Sequence, residues 1–163
     1  MPFVYLILGG NKGNRTKIIS EAIDLVTSHI GRKKAISGLY ESESWGFKSE
    51  PFVNQVIILK TGLSPTEVLR CSQQIENQLG RTRKSAGYEA RTIDIDLLYY
   101  DSLVLNATDL TIPHPRIAER RFVLVPLAEI APDWIYPVTG LTVSQMLEQC
   151  PDRLGVTRLK DKG

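Results

Sequence analysis

Asp94 and Asp96 are the residues in this chain with the clearest capacity for chemistry. They sit in the run Arg91-Thr-Ile-Asp-Ile-Asp-Leu-Leu-Tyr99, whose apolar positions alternate. A period of two places Ile93, Ile95, Leu97 and Tyr99 on one face of a strand and both aspartates on the other. Two strand residues span roughly 6.6 Å. At an effective dielectric of about 20, carboxylates that far apart repel by roughly 2–3 kcal/mol. An open, solvated face tolerates this; a walled one needs cations. The preceding segment, Arg81-Thr-Arg-Lys-Ser-Ala-Gly-Tyr-Glu-Ala-Arg91, sets Arg81, Arg83, Lys84 and Arg91 against the single Glu89. Its centre, Ser85-Ala86-Gly87, favours a loop. Either feature alone reads most simply as solvated surface. Together they suit polyphosphate and a divalent metal, with arginine forks on phosphate oxygens and aspartate oxygens on the hard cation that bridges them.

The elements that must position these groups follow from pattern. Phe3–Leu8 is a short apolar run ended by Gly9-Gly10-Asn11, and reads as a buried strand. From Arg15 the period becomes helical, with Ile19, Ala22, Ile23, Val26 and Ile30 on one stripe and Gly31 as the stop. Ala35–Tyr40 and Phe52–Leu59 are the next strands, separated by the polar loop Glu41–Pro51. Ser64-Pro65-Thr66-Glu67 is a capping box that opens a second helix. Its stripe is Val68, Cys71, Ile75 and Leu79, closed by Gly80. The Asp-bearing strand comes next. The order is β-α-β-β-α-β, a ferredoxin-like α+β sheet with two helices on one face. After Asp101 we expect an edge hairpin, a short helix near Arg116–Phe122, an apolar stretch to Ile130 and a small helix capped by Thr142. With both helices on one side, the aspartate face is left as a floor under the loops 41–51 and 81–91. Long loops in a compact domain are commonly functional.

Composition narrows the classes. A chain of 163 residues suits one domain, here residues 1–163, with a sizeable core. A net charge of +2 is too mild for a nucleic-acid coating protein. Cys71 and Cys150 lack tight spacing and read as buried thiols in a reducing compartment. Gly9 and Gly10 interrupt the first apolar run, which argues against a signal peptide, and no run approaches a membrane span. A cytoplasmic location is expected, with no nucleic-acid or membrane partner.

Three groups of residues match a known family: Arg81-x-Arg83-Lys84; Arg91-Thr-Ile-Asp94-Ile-Asp96-Leu-Leu; and Pro113-His114-Pro115-Arg116 with Arg120 and Phe122. They resemble 6-hydroxymethyl-7,8-dihydropterin pyrophosphokinases. Gly9-Gly10-Asn11, Phe52-x-Asn54 and the Pro126–Pro132 stretch extend the resemblance along the chain. It implies the ferredoxin-like fold and transfer of pyrophosphate from MgATP to a reduced pterin, with release of AMP, in folate biosynthesis. Asp94 and Asp96 then match the pair that holds two Mg²⁺. Arg81, Arg83 and Arg91 match a catalytic basic loop that closes over ATP. Gln73, Glu76, Thr111, His114 and Arg120, with Arg83, match ATP-binding positions. Phe52 and Phe122 match a pterin-stacking pair, and Asn54 the residue on the pterin edge. Ser42, Trp45 and Tyr88 match further substrate positions. A monomer is expected, with dihydropteroate synthase as a functional neighbour. Departures from the family pattern are Gly10 for Ser or Thr, Tyr88 for Trp, Glu89-Ala90 for Gly-Pro, Glu43-Ser44 for prolines, and Pro115 for an aromatic.

Competing classes leave their own marks. No G-x-x-x-x-G-K-[ST] occurs, and Leu8 stands where a dinucleotide fingerprint needs glycine. A metal-dependent phosphohydrolase could use the same aspartates, but would release ADP or phosphate without a pterin. RNA-binding modules share the element order. Here their aromatic signature is missing, and acidic residues on the open face would repel a phosphate backbone.

Overall fold

A computed structural model describes residues 1–10, 14–42, 51–80 and 93–159. The elements in chain order are β1 (Phe3–Gly10), α1 (Arg15–His29), β2 (Gly31–Ile36), β3 (Tyr40–Ser42), β4 (Phe52–Thr61), α2 (Pro65–Gly80) and β5 (Asp94–Tyr100). The hairpin β6 (Leu105–Asn106) and β7 (Thr111–Ile112) follows, then a 3₁₀ turn (Ile117–Glu119), α3 (Arg121–Ile130), α4 (Val143–Gln149) and β8 (Val156–Arg158). The sheet runs β5-β1-β4-β3-β8, with β2 also on β4, and every pairing is antiparallel. This is the expected α+β arrangement.

Local chemistry starts both long helices. Asn14 Oδ1 accepts from the Lys17 N–H at 3.2 Å. At α2 the expected capping box forms: Ser64 Oγ accepts from Glu67 N–H at 3.2 Å, and Glu67 Oε1 accepts from Ser64 N–H at 2.8 Å. Apolar stripes of α1 (Ile19, Ala22, Val26) and α2 (Val68, Ile75) pack on Leu6, Leu8, Ile57, Leu59, Ile95 and Leu97 of the sheet.

Four details depart from the sequence reading. First, the single strand expected at Ala35–Tyr40 is two strands sharing one edge of β4: β2 pairs with its C-terminal half and β3 with its N-terminal half. Between them Ser37 takes over the hydrogen bonds, its N–H donating to Val56 O at 2.9 Å and its Oγ accepting from Val56 N–H at 3.0 Å. Gly31, read as a helix stop, is already the first residue of β2.

Second, Tyr99 does not share a face with Ile93, Ile95 and Leu97. A bulge sets Tyr5 opposite Tyr99 but Leu6 opposite Leu97, so Leu98 is an extra residue and the alternation inverts after it. Leu98 and Tyr99 are buried on the aspartate side. Tyr99 stacks on Trp134 with ring centroids 3.6 Å apart, and burial, followed by Tyr136 and Tyr5, drives its phenol pKa far up.

Third, the short helix expected near Arg116–Phe122 forms as the 3₁₀ turn Ile117–Glu119, but the apolar stretch after it is itself a helix, α3. Arg120 is extended (φ −124°, ψ 105°) and separates the 3₁₀ turn from α3. Val123, Leu124 and Leu127 of α3 are buried with Ile7 and Val56 of the sheet.

Fourth, the second sheet face is not wholly open. α3, α4 and the 134–136 segment build a second core over much of it, with Tyr99, Val143, Met146 and Cys150 inside. Only the part toward the start of β5 remains as floor.

Candidate active site

Strand register assembles the floor. Asp94, Gly9 and Asn54 are direct lateral partners on β5, β1 and β4, and Tyr40 on β3 extends the row. Next to it runs Asp96, Ile7 and Val56. Laterally paired residues face the same side, and adjacent strands lie about 4.8 Å apart. Asp94 is therefore roughly 10 Å across the sheet from Asn54, with the side-chain-free Gly9 between them. Phe52 and Ser42 pair directly with each other one step farther along β4 and β3.

The outer edge of β5 is closed by two contacts. Glu76 of α2 accepts the Ile95 N–H at 2.7 Å. The His114 N–H donates to Leu98 O at 3.0 Å. Together they fix the dicarboxylate strand against α2 and the segment after β7.

The floor is the base of a cavity of about 510 Å³. Asp94, Asp96, His114, Arg116, Glu119 and Arg120 supply its charged and polar wall, and Phe52 and Phe122 its aromatic surface. Ser42, Asn54, Gly9, Ile7, Leu98 and Val123 complete it. Of the residues expected from sequence, Ser42, Phe52, Asn54, Asp94, Asp96, His114, Arg120 and Phe122 all meet here. Gln73 (exposed on α2), Glu76 and Thr111 (on β7) lie outside the lining. Arg81, Arg83, Tyr88 and Arg91 fall within 81–92, and Trp45 within 43–50, outside the described residues. The sequence reading missed the lining role of Arg116, Glu119 and Gly9. Arg116 was visible only as the end of the Pro113-His114-Pro115-Arg116 motif. Gly9 stood out only as a strand end and in the Gly9-Gly10-Asn11 match, because its role in the cavity lies in what it leaves empty.

Electrostatics and packing organise the wall. Arg120 Cζ stands 5.6 Å over the Phe122 ring, so the cation and the aromatic are coupled. Burial lowers the His114 pKa from its ordinary value, Arg120 and Arg116 push the same way, and Asp96 opposes them. The imidazole is therefore neutral at pH 7. Its Nδ1 accepts from the Arg116 N–H at 3.2 Å, which leaves the proton on Nε2 as a donor.

A depressed folded pKa means that the unfolded chain takes up this proton first. The stability from neutral His114 is full above about 6.5 and declines as pH falls from there toward the folded value. Urea melts between pH 7.5 and 5 should show that decline, and His114→Gln should flatten it. An unchanged slope in the variant would mean that another group carries it.

The donor set also bears on metals. Two carboxylates project from one strand face, and no cluster of three or more His, Cys, Asp or Glu that could cage an ion occurs among the described residues. That suits a cation which completes its shell from water and ligand phosphates, as Mg²⁺ commonly does. Cys71 and Cys150 are both free. Among the described residues no helix is long and apolar enough to cross a membrane.

A family model described as 7,8-dihydro-6-hydroxymethylpterin-pyrophosphokinase (HPPK) matches residues 5–132. A Porphyromonas gingivalis protein named 2-amino-4-hydroxy-6-hydroxymethyldihydropteridine pyrophosphokinase is 42% identical over 141 residues, 84% of this chain and 95% of that protein. The folic acid synthesis protein fol1 of Pneumocystis carinii is 41% identical over 150 residues, 91% of this chain but only 20% of that longer protein. Among solved structures, a Plasmodium falciparum HPPK-DHPS chain superposes with a TM-score of 0.72 at 17% identity, covering 91% of this chain and 43% of that one. This last likeness concerns the fold.

Proposed function

The chain belongs to the 7,8-dihydro-6-hydroxymethylpterin-pyrophosphokinase family, and on that premise we propose that its cavity transfers pyrophosphate from ATP to the hydroxymethyl group of 6-hydroxymethyl-7,8-dihydropterin, giving AMP and the pterin diphosphate in folate biosynthesis. One observation carries the assignment of roles. A dicarboxylate on β5 and an Asn-aromatic pair on β4 share one cavity, with only β1 between them.

Asp94 and Asp96 are the groups that would hold Mg²⁺, two ions in this reading. Bound there, Mg²⁺ would neutralise charge on the phosphates and acidify the attacking hydroxyl. Arg120 and Arg116 present cations to the triphosphate, and His114 offers its Nε2–H. Phe52 and Phe122 are the two aromatic surfaces for a flat heterocycle. The Asn54 amide offers a donor and an acceptor together, which the amide-guanidine edge of a pterin requires. Holding both substrates in one cavity turns a bimolecular encounter into a positioned transfer. Arg81, Arg83 and Arg91 are read as the catalytic cations that complete the site, and Gln73, Glu76 and Thr111 as nucleotide-side residues, with Tyr88, Trp45 and Ser42 near the pterin. We read the protein as a monomer of one domain. Free thiols fit a cytoplasmic setting. The joined HPPK-DHPS name of the Plasmodium chain supports dihydropteroate synthase as a functional neighbour.

The test is a product assay with purified protein, MgATP and 6-hydroxymethyl-7,8-dihydropterin. Pterin-dependent AMP is the expected result. ADP formed without pterin would overturn the reading in favour of a phosphohydrolase.

A further inference from the structure

We propose that Asp152 is a positioning residue for the cavity, acting through the first turn of α3. The helix has no local cap: Arg120 occupies the N-cap position and makes no side-chain capping bond. Asp152, 31 residues beyond Arg121, does the work instead. Its Oδ2 accepts the Arg121 N–H at 3.0 Å, and its Oδ1 accepts the Leu154 N–H at 2.9 Å. It is only 8% exposed. A carboxylate at this end also complements the partial positive charge of the helix N-terminus.

The placement matters because of Arg121's neighbours. Arg120 and Phe122 both line the cavity, and the guanidinium lies over the ring. The bond to Asp152 therefore holds the backbone between a phosphate-facing cation and a pterin-facing aromatic. α3 itself holds this turn weakly. Pro126 lies inside the helix and has no N–H to give to the Phe122 carbonyl one turn before it. Asp152 also lies beyond residues 5–132, the part matched by the family model, so that match assigns it nothing.

This inference rests on the reading of Phe122 as a pterin-stacking residue, and the experiment separates the two. Affinity for 6-hydroxymethyl-7,8-dihydropterin, in the presence of a nonhydrolysable MgATP analogue, would be measured by calorimetry for Asp152→Ala, Asp152→Asn, Phe122→Ala and the two double variants. All would be assayed at a temperature where circular dichroism shows them folded. Loss of a helix cap corresponds to roughly a five- to tenfold change in an equilibrium constant, and pterin binding should weaken by about that much in Asp152→Ala. Asp152→Asn keeps an oxygen for Arg121, so it should lose less. In the Phe122→Ala background either Asp152 change should cost almost nothing further.

Equal losses in both backgrounds would overturn the proposal and make Asp152 a purely structural residue. If Phe122→Ala weakens pterin binding and Asp152→Ala does not, only the positioning role falls. If Phe122→Ala leaves pterin affinity intact, the stacking reading fails and this inference goes with it. Should Asp152→Ala not fold, Asp152→Asn supports the same comparison.

Discussion

Asp96→Ala should lower turnover by on the order of a thousandfold while leaving the fold intact. Asp96 is exposed on the cavity side of β5, so its removal opens no hole in the core. Surface substitutions of this kind usually change stability by only about 0.5 kcal/mol. Removing one of two neighbouring like charges also relieves their mutual repulsion, so a small gain in melting temperature fits the same picture. The loss falls on chemistry, because the remaining carboxylate would have to hold alone the cation that neutralises the phosphates. Asp94→Ala should be equally inactive but cost more stability, since Asp94 is half-buried at the start of the strand. Steady-state AMP formation beside thermal melts separates the two effects. Global unfolding of Asp96→Ala, or near-normal turnover, would remove Asp96 from the site.

Gly9→Ala should cost pterin binding on the order of ten- to a hundredfold, the cost of displacing a buried amide from its ligand. A β-carbon built on Gly9 would stand 2.0 Å from Asn54 Oδ1, 3.0 Å from its Cγ and 3.2 Å from the Val53 carbonyl. The main chain of β4 cannot retreat, because Val53 and Asn54 are paired on both sides, with β1 and with β3. The Asn54 side chain must turn away instead, out of the place from which its amide meets the cavity. Overpacking should also cost about 1–3 kcal/mol of stability. A double-mutant cycle isolates the cause. In an Asn54→Ala background, Gly9→Ala should weaken pterin binding no further, and affinity for the MgATP analogue should hold in every variant. Undiminished pterin affinity in Gly9→Ala would show that Asn54 does not meet the substrate.

Much of this site was legible in the chain because its parts are local. The alternation across Asp94 and Asp96 survives in the structure, since those residues lie before the bulge. The capping box at Ser64–Glu67 formed as written, since each bond spans three residues. Phe52 and Asn54 share a face because they are two apart on one strand. Beyond Leu98 the same arithmetic failed. Pattern cannot see an extra residue inserted against a partner strand, so Tyr99 moved to the opposite core. Ala35–Tyr40 split for a related reason: the Ser37 hydroxyl competes for β4's hydrogen bonds, and only β4's position reveals that.

The sequence by itself therefore determined the inventory: two helices with their caps, the strand that carries the carboxylates, and a set of polar and aromatic residues suited to phosphate and a flat ring. Each of these is set by neighbours within about one helical turn or two strand residues, where propensity and periodicity act directly. Tertiary structure alone decided which residues meet. Register put Asp94, Gly9 and Asn54 in one row, and α3 and α4 narrowed an open face to a cavity. A buried Asp152 capped a helix begun 31 residues earlier. Those contacts join residues far apart in the chain, and their cost in chain entropy is met only when the whole core closes.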